Sequence, residues 1–410
     1  MTSTGWKFLL GSLFFLSILL REPTLLLLDL LLVLAALTSA LWKRYGLARV
    51  TYRRRLGSKR LFFGDETTLD VEITNGKLLP LPWLKAEDHF PRALDFLRGH
   101  LELSTSPHRG ILRNSLSLRW YERVTRRYRL RAAHRGIYEL GPVSLQVGDL
   151  FGLRRQRQTL DETEELIVYP RILPLAELGL PAEFPFGEEK PIRRVVEDPL
   201  RLRGAREYRS SDSMRHIHWK ATAHTGQLQT KEYEPGASRY LVVFLNASTA
   251  EYIYEGLNPP LLEFLITVAA SVATAAIEEE CQVGLYVNEW GMGDLYMHIP
   301  PSGRSDQLML ILEMLAQDIF WGHVPLTGLL SQELSKLPYG STVVVISALA
   351  DEDLFSALLD VKATGRRVTL LTVGEKPFPI QVDEFPVYHV NPPASREEDR
   401  EIERLELAQR

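Results

Sequence analysis

The stretch "RYLVVFLN" (Arg239–Asn246), followed by "PPLLEFLITVAASVATAAIEEE" from Pro259, decides the fold of the C-terminal part. An uninterrupted apolar run of strand length is typical of a strand that is buried on both faces of a parallel sheet. The second run has prolines at its start, where helices accept them, and predicts a helix. It is also long enough for a membrane span, but Glu263, its small residues and the neighbouring strands favour a helix packed on a sheet.

The same alternation continues toward the C-terminus. The predicted strands "CQVGLYV", "STVVVIS" and "RRVTLLTVG" alternate with the predicted helices "GRSDQLMLILEMLAQ" and "DEDLFSALLDVKATG". This order predicts a three-layer, Rossmann-like α/β domain with a mainly parallel sheet over residues 239–392. Cys281 is the only cysteine, so an internal disulfide framework is excluded. It begins a predicted strand, is expected in the core, and suits a reducing compartment.

Two apolar runs at the N-terminus predict a transmembrane helical hairpin over residues 1–44. They are "FLLGSLFFLSILL" (Phe8–Leu20) and "LLLLDLLLVLAALTSALW" (Leu25–Trp42), and only the second has the length of a full span. Basic residues follow Trp42 with no acid before Asp65, which by the positive-inside rule places the soluble domains in the cytoplasm. The predicted location is the cell inner membrane, with a multi-pass anchor.

Two rival interpretations of the N-terminus are a single span and a cleaved signal peptide. The signal peptide is disfavoured because no small-x-small cleavage site precedes Arg21. The second apolar run would also anchor the chain after such a cleavage.

Residues 45–169 show short alternating runs with turn residues between them. In "TTLDVEITNG" the apolar Leu69, Val71 and Ile73 alternate with polar neighbours before an Asn-Gly turn. This pattern predicts a small antiparallel β-sandwich. The arginine-rich face of "RYRLRA" is either a solvated face or a patch toward acidic lipid or an acidic partner. Residues 170–200 are predicted to be a linker, and residues 393–410 a charged tail.

The segment "REYRSSDSMRHIHWKATA" (Arg206–Ala223) combines aromatic, basic and imidazole side chains. In a structural interpretation the apolar parts of Tyr208, Ile217 and Trp219 are buried against the α/β sheet. Its arginines then pair with neighbouring acids, Arg206 and Arg215 with Asp212 or Glu207. In a functional interpretation its basic side chains face an acidic partner, such as a nucleotide-bound ATPase or a phosphate. These side chains are Arg206, Arg209, Arg215 and Lys220.

Motifs for catalysis are absent from the sequence. There is no Gly-x-x-x-x-Gly-Lys phosphate loop, no His-Glu-x-x-His and no Gly-x-Ser-x-Gly elbow. A zinc site would need His216, His218 and His224, but Arg215 and Lys220 beside them oppose a cation. We therefore predict no catalytic residues, and a net charge of −4 gives no overall bias toward nucleic acid.

The longer segment "RGAREYRSSDSMRHIHWKATAHTGQLQTKEYE" resembles the signature of the bacterial family catalogued as domain of unknown function 58. It matches the family pattern at Gly204, Arg206, Tyr208, Asp212, Arg215, Ile217, Trp219, Ala221, Ala223 and Leu228. It departs from the pattern at Ser211, His218 and His224. A turn upstream resembles the family as well, at Asp149, Phe151, Gly152 and Leu153. The signature segment (residues 201–238) therefore supplies the candidate partner-binding residues Gly204, Arg206, Tyr208, Asp212, Arg215, Trp219 and Lys220.

The resemblance implies that the α/β domain is von Willebrand factor A-like. Such domains often hold magnesium with an Asp-x-Ser-x-Ser motif after the first strand and an Asp after the fourth. Here the first motif is Asn246-Ala-Ser248-Thr-Ala250, and the later position is Ala348. Asn246 and Ser248 are thus degenerate metal-site positions, and since the carboxylates that a hard cation needs are lost, we predict no metal and no cofactor.

The resemblance also implies a role in protein interaction. Family members are typically encoded beside MoxR-type AAA+ ATPases and look like membrane-tied adaptors for them. We therefore expect a non-enzymatic adaptor or scaffold with a MoxR-type ATPase as partner, no nucleic acid and no small-molecule substrate. The alternatives are a metal-dependent or otherwise unrecognised enzyme, and a basic surface that binds anionic lipid or nucleic acid.

Overall fold

A computed structural model describes most of the chain, and its contacts divide the chain into two units. The described residues are 11–12, 14–15, 19–20, 23–97, 101–104, 106, 108–150, 155–181, 184, 197–209, 214, 217–235, 239–252, 254, 256–290, 295–375 and 383–392. Unit 1 comprises Met1–Pro170 with Ala316–Asp318, and unit 2 comprises Arg171–Leu315 with Ile319–Arg410.

Unit 1 begins with an apolar helix, α1 (Pro23–Tyr45), of 23 residues. At 1.5 Å per residue such a helix is about 35 Å long, which exceeds the roughly 30 Å of a bilayer core. Its last turn carries Lys43 and Arg44, whose charge suits the negative end of the helix dipole. The predicted N-terminal apolar helix is therefore confirmed, and it is long and apolar enough to cross a membrane. The other predicted span, Phe8–Leu20, lies largely outside the described residues.

The rest of unit 1 consists of strands. They are β1 (Val50–Leu56), β2 (Arg60–Leu61), β3 (Glu66–Asn75), β4 (Leu81–Pro91), β5 (Asp95–Phe96), β6 (Glu102–Leu103), β7 (Arg109–Leu118), β8 (Arg123–Arg131), β9 (Gly136–Leu140), β10 (Val143–Gly148), β11 (Arg155–Leu160) and β12 (Glu164–Val168). The sheets have the orders β1-β3-β8-β5, β11-β10-β4-β7-β6 and β2-β12-β9. Pairing is antiparallel apart from β2 with β12.

The alternation seen in the sequence of β3 is the alternation of its burial. Leu69, Val71 and Ile73 are buried and join one apolar cluster with residues of the neighbouring sheet such as Leu84 and Leu145. Side chains of this kind each contribute about 1.5–3 kcal/mol on burial. The period-two pattern therefore identified the core face of this strand correctly.

Arginines on the outer face of β8 form ion pairs with neighbouring acidic side chains. Arg127 donates from Nε and Nη2 to the two carboxylate oxygens of Asp70, at 2.7 and 2.9 Å. The hydrogen bond from Arg127 also holds the pKa of Asp70 below its usual value. Glu72 on β3 lies between Arg55 and Arg123, at 3.8 and 3.6 Å. The face thus has the ion-pair pattern of a solvated strand surface, in which each exposed pair contributes little to stability.

A buried acid lies between the sheets of unit 1. Asp88 on β4 accepts a hydrogen bond from the Tyr52 hydroxyl at 2.7 Å and from Arg54 Nη1 at 3.1 Å. Arg54 also donates to the backbone carbonyl of Glu162. The side chains of Arg54 and Asp88 are 4% and 0% exposed. Burial raises the pKa of Asp88 from 3.8 to about 6, although the Arg54 charge and the Tyr52 hydrogen bond oppose the shift.

The raised pKa of Asp88 predicts a pH dependence of stability. Between its ordinary pKa of 3.8 and its folded pKa of about 6, the folded state holds a proton that the unfolded state has lost. The free energy of unfolding should therefore fall as the pH rises through this window and level off above it. Chemical unfolding of the detergent-solubilised chain at a series of pH values measures this slope.

Two variants separate Asp88 from other groups. Asp88→Asn should remove the slope and destabilise the chain by roughly 3–5 kcal/mol, because it leaves the buried Arg54 without a counter-ion. Asp95→Asn, at an exposed position, should leave the slope in place. A stability that rises with pH over this window in the parent chain would contradict the assignment.

Unit 2 contains a six-stranded sheet in the order β17-β16-β15-β18-β19-β20. Its strands are β15 (Tyr240–Leu245), β16 (Gln282–Val287), β17 (Met297–Ser302), β18 (Thr342–Ser347), β19 (Arg367–Val373) and β20 (Val387–Val390). Pairing is parallel apart from β17, which runs antiparallel to β16 at one edge. The helices that accompany the sheet are α3 (Pro259–Glu278), α4 (Gln307–Ala316), α5 (Leu326–Leu334) and α6 (Glu352–Ala363).

The predicted alternation of strands and helices is thus present in unit 2. Helix α3 begins where Asn258 Oδ1 accepts a hydrogen bond from Leu261 N at 3.1 Å, and most of its side chains are buried. It contacts β15, β16 and β18, so its apolar character is that of a core helix, as predicted. Cys281 is also buried, and burial raises the pKa of its thiol to about 11.

Part of the predicted linker (residues 170–200) packs on unit 2. Leu173 N donates to Ser271 Oγ on α3 at 2.8 Å, and a 3₁₀ turn follows at Leu175–Leu178. Phe184 is buried and meets Tyr388 on β20 edge to face, with ring centroids 5.5 Å apart. The apolar residues in this segment therefore cover the α/β core. The predicted tail, residues 393–410, lies outside the described residues.

Candidate functional site

The signature segment forms a two-stranded antiparallel sheet with a helical connection. Strands β13 (Glu197–Glu207) and β14 (Gln229–Pro235) pair, and the short helix α2 (Trp219–Thr225) lies between them. Ile217 is buried and makes a single bridge to Thr230, just before α2 begins. Ile217 thereby joins the start of α2 to β14.

The predicted partner-binding residues have unlike environments. Tyr208 is partly buried and its backbone N–H donates to the Leu228 carbonyl at 2.9 Å. Arg206 Nη1 donates to the carbonyl of Glu207 at 3.1 Å. Lys220 is exposed, while Asp212 and Arg215 lie outside the described residues. A Cβ at Gly204 would meet open space, so its surroundings do not require a glycine.

The structural interpretation, in which Trp219 buries its ring, does not hold for this residue. Its side chain is 68% exposed, and none of the seven residues of α2 is buried. So short a helix covers little of the sheet, and Ile217 rather than Trp219 is the side chain that anchors this connection. Met214 and Leu228 are exposed as well, at 68% and 45%. The signature segment thus presents large apolar side chains to solvent.

The imidazoles of the signature segment serve local structure. His218 is the N-cap of α2, where its Nδ1 accepts a hydrogen bond from Ala221 N at 3.2 Å. His224 is exposed, and His216 lies outside the described residues. The Nδ1 lone pair of His218, which a zinc ion could otherwise use, is therefore engaged in capping the helix.

The second candidate site lies at the carboxyl ends of β15, β16 and β18, where open α/β sheets bind their ligands. Asn246, directly after β15, donates from Nδ2 to Ser347 Oγ at 3.0 Å. Its Oδ1 accepts from Asn288 Nδ2 at 2.9 Å and from Ser248 N at 3.1 Å. Asn246, Asn288 and Ser347 are all buried. We call these three side chains the amide network.

The amide network is closed by further partners. Asn288 Oδ1 accepts from Ala247 N at 2.7 Å, and its Nδ2 also donates to the Val324 carbonyl at 3.1 Å. Gly322 covers the network: a Cβ at this position would lie 2.2 Å from Asn288 Nδ2 and 2.6 Å from Ser248 Oγ. Only glycine permits so close an approach of the backbone.

The chemistry of this site differs from that of a magnesium site. Its side chains are neutral amides and hydroxyls, whereas a hard divalent cation is bound mainly by carboxylates and other free oxygens. The nearby Asp351 caps helix α6, where its Oδ1 accepts from Leu354 N at 2.8 Å. Within the described ranges, no three His, Cys, Asp or Glu side chains lie close enough together to hold a metal ion.

A buried acid that we did not single out from the sequence fixes the loop beside the network. Glu289 Oε2 accepts hydrogen bonds from the backbone N–H groups of Phe320 and Trp321, at 3.0 and 2.9 Å. Its Oε1 accepts from Trp290 N at 3.1 Å and lies 2.6 Å from His323 Nδ1. Its position two residues after β16, at the ligand-binding edge of the sheet, is the signal that would have found it.

Large apolar side chains surround the amide network on this edge. We call them the rim; their exposed fractions are 47% for Tyr252, 80% for Tyr254, 64% for Trp290, 67% for Leu295 and 61% for Phe320. The two tyrosines stack at 5.2 Å, and Trp290 stacks on His323 at 4.2 Å. Three of the four aromatic rings of the rim are therefore held by stacking on a neighbour.

These features define an α/β domain that is preceded by a sheet-rich unit and an N-terminal apolar helix. Residues 204–377 match the model of the family described as "Protein of unknown function DUF58". The match confirms the resemblance seen in the signature segment: residues 204–377 are similar to that family.

A relative in Bacillus subtilis (strain 168), "Uncharacterized protein YeaD", is 22% identical over 343 residues, covering 81% of this chain and 78% of its own length. Among solved structures, the CARDB domain of a Pyrococcus furiosus protein aligns with 29% of this chain and 86% of its own, at 11% identity and a TM-score of 0.20. Spo0M, a sporulation control protein from Bacillus subtilis, aligns with 29% of this chain and 49% of its own, at 12% identity and a TM-score of 0.19. At such TM-scores neither structure informs the fold or the function.

The hydrogen bonds of Glu289 predict that this residue orders the loop that bears Phe320. A hydrogen bond to a charged group contributes about 1.5–3 kcal/mol. Glu289→Ala should therefore accelerate amide hydrogen exchange at Phe320 and Trp321 by roughly ten-fold or more. Glu278→Ala, at an exposed position on α3, is the matched control and should leave these amides unchanged. Equal protection in the two variants would show that the loop is held by other contacts.

Proposed function

We propose that this protein is a membrane-anchored adaptor that binds a protein partner through its α/β domain and performs no chemistry of its own. In this proposal α1 spans the inner membrane as part of a multi-pass anchor, and both units face the cytoplasm. The proposed partner is a MoxR-type AAA+ ATPase, in line with what the family resemblance implies.

We further propose that the α/β domain is von Willebrand factor A-like and that the strands of unit 1 form a β-sandwich. The order β17-β16-β15-β18-β19-β20 with an antiparallel β17 at the edge supports the first assignment. The shared apolar cluster of the two larger sheets of unit 1 supports the second.

The rim is the observation that carries the proposal. In open α/β sheets with this strand order, ligands bind where the order reverses, which here is between β15 and β18. The amide network fills that point, so the edge offers a surface to a partner and little space to a small molecule. Exposed aromatic side chains are enriched at such protein interfaces and often contribute most of the binding energy.

An adaptor role also agrees with the buried polar groups at this edge. The Asn246 amide and the Ser347 hydroxyl have their hydrogen-bonding partners within the fold. A general acid or base would need a titratable group that faces a substrate, but Glu289 is engaged by three backbone N–H groups. We therefore favour binding over catalysis.

The proposal predicts which substitutions weaken binding of the partner. Trp290→Ala and Phe320→Ala should each raise the Kd for a purified MoxR-type ATPase from the same organism by roughly ten-fold or more. Biolayer interferometry with the detergent-solubilised full chain measures this change. Tyr339→Ala is the control, since Tyr339 is 65% exposed and precedes the amino end of β18. An ATPase that binds all three variants with the same Kd would exclude the rim as its site.

The signature segment is the second candidate for the partner site, because Trp219 and Met214 are exposed beside Lys220. Trp219→Ala and Lys220→Ala in the same assay separate the two sites. A loss of affinity in these variants alone would move the interface to the signature segment, and the salt dependence of binding would then report its cationic character.

The enzymatic alternative is tested by metal binding. If the amide network replaces the magnesium ligands, calorimetric titration of the full chain with magnesium or zinc chloride should give no micromolar isotherm. Asn246→Asp, which restores a carboxylate but removes the donor to Ser347, should be less stable than the parent chain by roughly 1–3 kcal/mol. A clear micromolar isotherm with the parent chain would favour the metal-dependent enzyme.

A further inference from the structure

The C-terminal part of α1 is bonded to loops of unit 1. Trp42 Nε1 donates to the Pro80 carbonyl at 3.0 Å, and Ser39 Oγ donates to the carboxylate of Asp149. Both Ser39 and Trp42 are buried, in contrast to most of the helix. The end of the helix is therefore fixed to the strand domain.

A third loop, residues 119–122, lies beside the loops that contain Pro80 and Asp149. Lys77 Nζ donates to the Gly46 carbonyl, one residue beyond α1, at 2.9 Å, and burial lowers the pKa of Lys77 to about 8. Asn75 Nδ2 donates to the carbonyls of Leu79 and Arg119, at 2.9 and 2.8 Å. Residues 76–80, 119–122 and 149–150 thus lie together around the end of α1, and we call them the interfacial loops.

The depth of these contacts along the helix is informative. Ser39 lies six residues before Tyr45, or about 9 Å along the helix axis at 1.5 Å per residue. It also lies within the apolar run, which ends at Trp42. A loop that touches Ser39 therefore reaches the level at which the helix passes from polar surroundings into lipid, if α1 spans the membrane.

The interfacial loops expose side chains of the types that favour the boundary between lipid and polar surroundings. The exposed fractions are 71% for Leu78, 64% for Trp120, 61% for Tyr121 and 58% for Leu150. Trp and Tyr are enriched at the membrane–water interface, where an apolar ring and a polar edge are both solvated. Exposed basic residues accompany them, namely Lys43, Arg44, Arg49, Arg119 and Arg155. Each basic residue close to an anionic membrane surface contributes about 1 kcal/mol.

We propose that the interfacial loops insert into the headgroup region of the bilayer and form a second membrane contact beside α1. The occupant of this surface is lipid, with acidic headgroups at its basic residues. The inference rests on the proposed spanning of α1, because the helix brings the loops to the membrane. It implies that unit 1 is held against the bilayer by a surface and not by a flexible tether.

Depth-dependent quenching tests this proposal in the full chain. In a Cys281→Ser background, single cysteines replace Leu78, Trp120 or Leu150 and carry an environment-sensitive fluorophore. The chains are reconstituted in liposomes of phosphatidylcholine and phosphatidylglycerol that contain a nitroxide lipid. Labels on the interfacial loops should emit at shorter wavelength than the same label at the reference position Phe63, and a nitroxide near the headgroup should remove most of their emission.

Two reference positions keep this proposal separate from the anchor. Phe63→Cys lies beyond the opposite end of β3, about 30 Å away along its 10 residues, and should not be quenched. Leu34→Cys, 56% exposed on α1, should be quenched by a nitroxide near the end of the acyl chain. If Leu34 is quenched and the loop labels are not, the interfacial contact is wrong and the anchor stands. If neither is quenched, both proposals fail.

A second measurement tests whether the apolar side chains cause the contact. Leu78→Ser combined with Trp120→Ser should reduce quenching of the label at Leu150, because two of the inserted side chains are removed. Trp219→Ser, which removes an equally exposed tryptophan in unit 2, should leave that quenching unchanged. Equal quenching at Leu150 in both variants would overturn the role of Leu78 and Trp120.

Discussion

The amide network is the constraint on which the α/β domain depends. Asn246 forms hydrogen bonds both to Asn288, which follows β16, and to Ser347, which ends β18. A buried amide costs about 1–3 kcal/mol when it loses its partners, so these strands must end in one fixed register. The same bonds occupy the point at which an open sheet of this order would otherwise receive a ligand. This is why the proposed binding surface is the loops around the network and not the crevice itself.

The loops around the network are ordered by charge and close packing. Glu289 holds two successive backbone N–H groups of the loop that bears Phe320, and Gly322 lets that loop lie directly on Asn288. These contacts fix the backbone of the loop, which reduces the conformational freedom that the loop would lose on binding. This order in the loop supports the proposal that the rim recognises another protein.

Much of this structure follows from the sequence, and the failures have physical reasons. The apolar runs of β15, β16, β18 and β19 identified a parallel sheet because strands covered on both faces need apolar side chains throughout. Asn246 was singled out from the sequence, but its partners Asn288 and Ser347 were not, because partners 42 and 101 residues away cannot be read from spacing. Burial of Trp219, as the structural interpretation had it, could not be decided from the sequence, which does not reveal how little of the sheet so short a helix covers.

Helix α3 has the length and apolar character of a membrane span, although it lies in the core of unit 2. While the chain is being synthesised, β15 and α3 leave the ribosome before β16 and β18 exist to cover them. A chain already held at the membrane by α1 would at that moment offer α3 to the insertion machinery. Glu263 opposes such misinsertion, because a charged side chain disfavours the entry of a helix into the bilayer.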